Sequence, residues 1–431
     1  MKVSVITLGC KVNQYESQAM LGDLSAAGYS PCDGAAGSDV VIINSCTVTA
    51  ESDRKVRQAL RRARRENPRA VVVLAGCMPQ AFPEAAERLT EADIVLGNSN
   101  RSSLVPDLQD FLATRRRVVD ITPHGNLFEP MRVDRFFERT RAFVKIEDGC
   151  NRFCTYCIIP FARGRVRSKP MDDLMAELEQ IAANGYREAV LTGINLSAYG
   201  QETGLTLCDA VETACKVESI ARVRLGSLEP ERLDSAVIRR LSRQPKLCPQ
   251  FHLSLQSGCD ATLKRMNRHY TADEYRAIVK NLRDVFPNAA ITTDIMVGFP
   301  GETEEEFRQS LAFEREIGFA KVHVFVYSRR PGTAAAKMEG QVARRVGEER
   351  SAEMIRAAER TRQAFLARQV GLTEPVLFER KHPQNLYEGY TANYTPVRVP
   401  SGRDLCGRIL PVRITGAEKD FCAGEIAAGS V

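Results

Sequence analysis

Apolar and polar positions along the chain fall into three regimes. Between residues 2 and 77 three short apolar runs, Lys2 to Leu8, Val40 to Ile43 and Val71 to Ala75, are each followed by small residues, a cysteine and then helically spaced apolar positions. Continuous apolar runs of this length read as strands of a parallel sheet covered on both faces, because such a strand has no face left to be polar. From Ala142 the rhythm resumes. Runs at Ala142 to Ile146, Ala189 to Ile194, Val223 to Leu228, Phe251 to Leu255, Ile291 to Val297 and Val322 to Tyr327 predict six βα units, with a helix over Met171 to Asn184 stopped by Gly185. Near the end the pattern changes to Val376 to Glu379, Tyr394 to Val399 and Arg408 to Ile414, short strands punctuated by proline and glycine that predict a small β-barrel.

The expected fold is therefore α/β. A doubly wound parallel sheet occupies 1–112, a linker containing Pro123 to Pro130 runs over 113–134, a partial (β/α)6 barrel spans 135–365, and a small β-barrel spans 366–431. The length of 431 residues, with 44% hydrophobic and 26% charged positions, suits two to four globular domains. No run of 18 apolar residues and no basic-plus-apolar leader occurs, which argues against a membrane span or secretion and for a cytoplasmic protein. Thirteen cysteines, an odd number, then point to metal or catalytic thiols in a reducing compartment and not to a disulfide framework. The net charge of +6 is modest, so nucleic-acid binding has to be argued from where the charge sits.

Three of the cysteines, Cys150, Cys154 and Cys157, stand at C-x3-C-x2-C spacing directly after a predicted strand. A structural zinc site closes with four ligands, and the nearest histidines, His124 and His252, lie far along the chain. A [4Fe-4S] cluster tolerates three thiolates if one iron is left to a non-protein ligand; the alternative is a zinc knuckle whose fourth ligand comes from elsewhere. Cys10, Cys46 and Cys77 form a second set, each just past a predicted strand. Ligands of doubly wound sheets sit at the carboxyl ends of strands, so these three converge on one edge and suggest a second cluster. Ordinary buried cysteines are the plainer alternative. Cys32, Cys208, Cys215, Cys248, Cys259, Cys406 and Cys422 lack ligand spacing and are expected as buried thiols.

Basic residues concentrate in two places. On the helix over Asp53 to Glu66, Arg54, Lys55, Arg57, Arg61, Arg62, Arg64 and Arg65 read as a solvated face, with phosphate contact as the alternative. Arg163, Arg165, Arg167 and Lys169 lie beside the Cys150 loop with no acid among them and read as RNA-phosphate contacts. Tyr387, Tyr390 and Tyr394 either stack on bases or fill the terminal barrel.

The run Cys150-Asn151-Arg152-Phe153-Cys154-Thr155-Tyr156-Cys157 resembles the radical S-adenosylmethionine (SAM) superfamily. That resemblance implies a [4Fe-4S] cluster on the three thiolates, with SAM on the open iron and cleaved by one electron. Gly193, Asn195, Glu229 and Gln256, polar residues at successive strand ends, are then expected around SAM. Thr7-Leu8-Gly9-Cys10-Lys11-Val12-Asn13-Gln14, Asn44-Ser45-Cys46-Thr47-Val48-Thr49, Ala75-Gly76-Cys77, His252 to Gly258, Val297 to Thr303 and Tyr327 to Thr333 together resemble the methylthiotransferase family over essentially the full chain. This implies a methylthiotransferase domain, a radical SAM core and a TRAM-type RNA-binding barrel, with a second [4Fe-4S] cluster on Cys10, Cys46 and Cys77. It also implies two SAM molecules, one a methyl donor and one a radical source, and as partners the tRNA anticodon stem-loop, a flavodoxin- or ferredoxin-like one-electron reductant and a sulfur donor. The Lys11-Val12-Asn13-Gln14-Tyr15-Glu16-Ser17 variant is most similar to the branch that modifies C2 of N6-threonylcarbamoyladenosine at tRNA position 37. Other branches modify N6-isopentenyladenosine or a ribosomal-protein aspartate, and a non-catalytic zinc-dependent RNA-binding protein is the reading from another class.

Overall fold

Six parallel strands open the chain in the computed structural model, which describes residues 1–133, 136 and 140–427. They are β1 (Lys2–Thr7), β2 (Ser30–Pro31), β3 (Val40–Ser45), β4 (Val71–Gly76), β5 (Ile94–Leu96) and β6 (Val118–Asp120), in the order β2-β1-β3-β4-β5-β6. β3 and β4 are buried at every position, which is why they are uninterrupted VVIINS and VVVLAG. Helices α1 (Lys11–Ala26) and α2 (Ala50–Glu66) follow β1 and β3. The chain leaves β1 outward to β2 and returns on the other side to β3, so the strand order reverses between β1 and β3, the place where such sheets leave a crevice beyond their strand ends. The expected end of this domain at residue 112 is too early. The helix Leu104–Thr114 and β6 complete the sheet, and Arg117 secures that edge by donating to the carbonyls of Glu87, Leu89 and Ala92. Two valines are too short an apolar run to announce a strand. The expected boundary between 134 and 135 lies outside the described residues.

The second domain holds β7 (Arg141–Lys145), β8 (Glu147–Asp148), β9 (Arg167–Ser168), β10 (Glu188–Thr192), β11 (Arg222–Leu225), β12 (Ser227–Leu228), β13 (Gln250–Leu253), β14 (Ala290–Val297) and β15 (Lys321–Val326). Two all-parallel sheets, β11-β10-β7 and β12-β13-β14-β15, meet where Gly226 alone separates β11 from β12. The result is a six-position open barrel with β7 and β15 as its free edges, as the sequence predicted. β8 and β9 pair antiparallel and pinch the base of the cysteine loop between them. Gly149 begins that loop at φ +88°, and a Cβ there would collide with the Arg165 carbonyl, so only glycine closes it.

The first domain covers the open side of the barrel. At the β7 edge, Tyr15 and Ala19 of α1 share the barrel's hydrophobic core, and the Tyr15 hydroxyl lies 2.7 Å from the Met131 carbonyl and 2.8 Å from Glu177. Glu16, fully buried, meets Arg163 at 2.6 Å, Lys145 at 2.8 Å and Arg101 at 2.9 Å. Beyond β15, Arg330 reaches Asp53 and Thr47 at 2.8 Å each, and the Ala50 amide donates to Ser328.

The long helix Arg344–Ala367 runs two residues past the expected boundary at 365, into a closed barrel of β16 (Thr373–His382), β17 (Leu386–Thr391), β18 (Pro396–Pro400), β19 (Ile409–Ala417) and β20 (Cys422–Ile426), ordered β16-β17-β18-β20-β19. Strands β17 and β20 were not anticipated. Each carries a glycine against a crossing strand, Gly389 under the Leu377 carbonyl and Gly424 with room for only 2.5 Å to Val412 Cγ1, and that breaks the apolar alternation. Tyr387 is buried in the barrel. Tyr390 and Tyr394 stack on one another at 4.6 Å beneath Arg141 and within reach of Arg224, so they seal the junction with β7 and β11 and do not present free faces to bases. No helix among the described residues is long and apolar enough to cross a membrane.

Burial pushes the Glu16 carboxyl up, but Arg101, then Arg163 and Lys145, outweigh it and hold it at about 2, below its ordinary 4.5. A depressed carboxylate stabilises the fold above its unfolded pKa and loses that contribution as pH falls through the folded one. Glu16→Gln should therefore lower the unfolding free energy in denaturant titrations by about 3–5 kcal/mol at neutral pH, the cost of leaving buried charges unpaired. The gap to wild type should close as the pH is taken from about 4.5 towards 2.

Candidate functional site

Cys10, Cys46 and Cys77 follow β1, β3 and β4 and stand together at the strand ends. Gly9, at φ +130°, has space for a Cβ only 2.9 Å from that of Cys46, so glycine is what lets the two cysteine turns touch. Two buried amides brace the turns. Asn13 accepts from the Cys10 thiol at 3.2 Å and donates to the Ser45 carbonyl at 3.0 Å, while Asn44 donates to the Asn13 carbonyl at 2.9 Å. Burial, then the charge on Cys77, pushes the Cys46 thiol up to about 11. Cys10 is also raised by burial, with Arg163 pulling the other way. Thiols that resist ionising beside one another are what a bound cation reverses, because metal binding takes the thiolate and releases the proton.

The second triad hangs on the loop between β8 and β9. The Cys150 amide donates to the Gly164 carbonyl at 3.0 Å, Thr155 binds the Met266 and Arg265 carbonyls, and Phe153 sits in the left-handed region at φ +51°. Burial raises Cys150 to about 11, and burial with the neighbouring Cys154 charge raises Cys157 to about 12. Nitrogen donors face the sulfurs: Arg268 lies 3.4 Å from Cys154 Sγ and the Asn195 amide 3.8 Å from Cys150 Sγ. Arg268 is itself held by Glu229 and stacked on Tyr270.

Of the residues expected around SAM, three meet at this loop. Glu147, buried and raised well above the ordinary carboxylate range by desolvation, accepts the Asn195 backbone N–H at 2.7 Å. Gly193 leaves only 2.6 Å between a built Cβ and the Glu147 carboxyl, so a side chain there would displace it. Glu229 completes the group through Arg268. Gln256 stands apart, in the left-handed region past the end of β13, its amide bonded to the Asp294 carbonyl.

Among the described residues no three acid, thiol or imidazole groups already stand at closed metal-site spacing. The donor chemistry nonetheless fits iron–sulfur clusters at both places: three gathered thiols each, with N–H donors on the sulfurs of the second. Among the described residues no fourth zinc ligand stands with either triad. His124 binds Ser99 at 2.7 Å, His252 is engaged by Asp294 and Thr292, and His269 contacts Arg152.

Three of the four residues expected to touch RNA are not available to it. Arg163 is buried against Glu16 and Asp148, Arg167 lies 3.6 Å from Asp148 and donates to the Arg163 carbonyl, and Lys169 pairs with Glu177. Glu16 is 147 residues away, so local charge density gave no sign of it, whereas Glu177 stands only eight residues beyond Lys169. Arg165 alone is exposed, 4.8 Å over the Phe153 ring beside Phe161. On α2, Arg54, Arg61, Arg62 and Arg64 are paired with acids, as a solvated face would be, while Lys55, Arg57 and Arg65 are exposed. Of the remaining cysteines, Cys406 is exposed and Cys32 and Cys215 half-buried, against expectation. Sequence reasoning missed Glu16, Glu147 and Arg268. The pair Glu147-Asp148 ending an apolar strand ahead of Cys150 was a usable signal, whereas nothing local marks Arg268.

Inside the barrel a polar group remains. His252 lies 3.3 Å from Asp294 and 6.1 Å, ring to ring, from His323. Along β15 Val322, Val324 and Val326 pack on the core, and Lys321, His323 and Phe325, which alternate with them on the opposite face, are exposed. Lys11, at the start of α1, is exposed as well, yet burial and the charges of Arg141 and Arg224 lower it to about 8.

Residues 2–97 match the uncharacterized protein family UPF0004, and residues 144–313 match the radical SAM superfamily. Among curated relatives, the threonylcarbamoyladenosine tRNA methylthiotransferase MtaB of Bacillus subtilis is 36% identical over 433 residues, covering 98% of this chain and 96% of that one. Its Thermotoga maritima counterpart is 36% identical, covering 100% and 98%. The tRNA-2-methylthio-N(6)-dimethylallyladenosine synthase of Pelotomaculum thermopropionicum is 34% identical, covering 99% and 98%. Among solved structures, the radical S-adenosylmethionine methyltransferase TsrM of Kitasatospora setae, bound to cobalamin and a [4Fe-4S] cluster, superimposes with a TM-score of 0.58 over 78% of this chain and 73% of that one. At 15% identity that likeness speaks for the fold. Two domain matches in the order of the two thiol triads, with relatives aligned from end to end, place this enzyme in the radical SAM methylthiotransferase family, in its MtaB type.

Proposed function

We propose that the protein transfers a methylthio group to C2 of N6-threonylcarbamoyladenosine at position 37 of tRNA, using two [4Fe-4S] clusters, one on Cys150, Cys154 and Cys157 and one on Cys10, Cys46 and Cys77. The observation that carries this reading is the bridge between the triads. Arg163, six residues beyond Cys157, reaches to 3.4 Å from the Asn13 oxygen that accepts the Cys10 thiol proton, so the two thiol sites are built against one another. When bound, the clusters and two SAM molecules supply a radical able to take hydrogen from an unactivated C–H bond and a methylated sulfur to replace it, chemistry that no side-chain acid or base provides.

The chain's own residues then have definable tasks. Arg268 and Asn195 donate to the sulfurs of Cys154 and Cys150, which favours the anionic thiolate. Glu229, with Gly193 and Asn195 on the adjoining strand end, offers the amino and hydroxyl groups of SAM their acceptors, and Glu147 fixes the turn that carries Asn195. The first domain is held across the open side of the barrel by Glu16 and Arg330. Arg165, Phe153 and Phe161, exposed beside the loop, suit phosphate and base contacts of an anticodon stem-loop, and the terminal barrel serves as a further RNA-binding surface. A flavodoxin- or ferredoxin-like reductant and a sulfur donor complete the set of partners.

Nucleoside mass spectrometry of tRNA incubated with enzyme, SAM and reductant should reveal 2-methylthio-N6-threonylcarbamoyladenosine. The 2-methylthio derivative of a dimethylallyl adenosine in its place would move the enzyme to the other tRNA branch. Cys46→Ala should abolish methylthiolation while SAM is still cleaved to 5′-deoxyadenosine, and undiminished product from that variant would remove the sulfur-bearing role of the first triad. After anaerobic reconstitution, triple alanine variants of either triad should each hold about half the wild-type iron and sulfide.

A further inference from the structure

The segment 327–338, which leaves β15, touches both thiol sites. Its two ends rest on the second cysteine loop. The Tyr327 ring meets Phe299 at 5.5 Å, Phe299 meets Tyr156 at 6.4 Å, and Ala335 and Met338 join the same apolar cluster. The Ala335 amide donates to the Thr155 carbonyl at 2.8 Å. Thr155 and Tyr156 stand between Cys154 and Cys157, so the segment is fastened to the loop that carries the second triad. Between these anchors Arg330-Pro331-Gly332-Thr333 makes a tight turn. The Thr333 amide and hydroxyl donate to the Arg330 carbonyl at 3.2 and 2.8 Å, with proline and then glycine, at φ +86°, in the two central places as a type II turn requires.

That turn sends Arg330 into the first domain. The side chain is buried, 2% exposed, with its guanidinium 2.8 Å from Asp53 Oδ2, 2.8 Å from Thr47 Oγ1 and 5.1 Å over the Phe82 ring. The Thr47 hydroxyl donates to the other Asp53 oxygen at 2.6 Å, which closes a triangle of three side chains. Thr47 is next to Cys46, and Phe82 directly follows the short helix Cys77–Ala81 that begins with Cys77. One side chain from the barrel therefore grips two of the three segments that bear the first triad. It shares no partner with Arg163, whose bonds run to Glu16, Asn13 and Asp148.

A buried guanidinium with partners on two segments costs several hydrogen bonds to displace, so it fixes both segments against whatever carries it. We propose that Arg330 is a positioning residue for methylthio transfer: it holds the Cys46 and Cys77 segments in place against the second cysteine loop, so that sulfur carried at the first triad meets the carbon activated at the second. The inference rests on the function proposed above and adds the residue that aligns the two sites.

The cluster-free full chain gives one readout. Under brief alkylation with iodoacetamide, followed by peptide mass spectrometry, Cys46 and Cys77, 7% and 2% exposed in wild type, should react about tenfold faster in Arg330→Gln, while Cys150, Cys154 and Cys157 keep their wild-type rates. A general loosening would accelerate all five, and that result overturns the proposal, as does no acceleration at all. With both triads loaded, and compared at equal iron content, Arg330→Gln should form about tenfold less methylthio product per 5′-deoxyadenosine, and Arg330→Lys should recover part of that ratio. Thr47→Val, which keeps the shape and loses only the hydroxyl, should show both effects on a smaller scale and decides the matter if Arg330→Gln does not load iron. A wild-type ratio in these variants overturns the proposal. If wild type itself forms no methylthio product, the substrate reading falls, and the alkylation pattern still decides where Arg330 acts.

Discussion

One carboxylate shared by three cations holds the molecule's parts in register. Glu16 comes from α1, Arg101 from the first domain, Lys145 from the end of β7, and Arg163 from the segment just past the second cysteine loop. Buried ion pairs seldom add much net stability, since desolvation consumes most of the attraction. What this one fixes is position. Cys10 lies six residues ahead of Glu16 and Cys157 six residues ahead of Arg163, so the contact between those two side chains sets one thiol loop against the other. Glu16 sits in the same short motif as Cys10 and Asn13, and the motif's mixed composition follows from its double duty: Asn13 serves the thiol, Glu16 the neighbouring domain, and Tyr15 the hydrophobic seam between them.

The large-scale fold was readable because parallel strands covered on both faces must be continuously apolar, and nine such runs could be counted in two groups. Their cysteines were readable for a related reason. A sheet brings all its strand ends to one edge, so residues that occupy the same place in successive βα units become neighbours whatever their separation in sequence. Where the logic was local, it failed. The cluster of Arg163, Arg167 and Lys169 looked like a basic patch because its acids lie on α1, on the strand pair beneath the loop and on the helix Met171–Ala183. Strands β17 and β20 escaped because a closed barrel of five short strands needs glycines where backbones cross, and these interrupt the pattern that identifies a strand.

The three stacked domains also explain why the open barrel does not need to close. Its gap between β7 and β15 is bridged from above by the first domain, through Tyr15 and Glu16 at one edge and Asp53 and Thr47 at the other. The β7 and β11 end is capped by the terminal barrel, whose Tyr390 and Tyr394 pack under Arg141 and whose Thr391 and Ala392 carbonyls receive Arg224. On these strands His252, Asp294, His323 and Phe325 all retain accessible surface.

The charges under the first triad take part in the same docking. Arg101, Lys145, Arg163 and Arg167 meet Glu16, Asp148 and Glu129 here, while burial pushes the neighbouring Glu147 carboxyl well above its ordinary range. Among the charges that act on Arg163, that of the nearby Cys77 is the largest. A buried cation in a low-dielectric interior is tolerated only where a negative charge can face it. Burial pushes Cys10 and Cys46 up while Arg163 draws Cys10 the other way, so the residue that locks the domains together also bears on the first triad, and docking and the thiol site share one side chain.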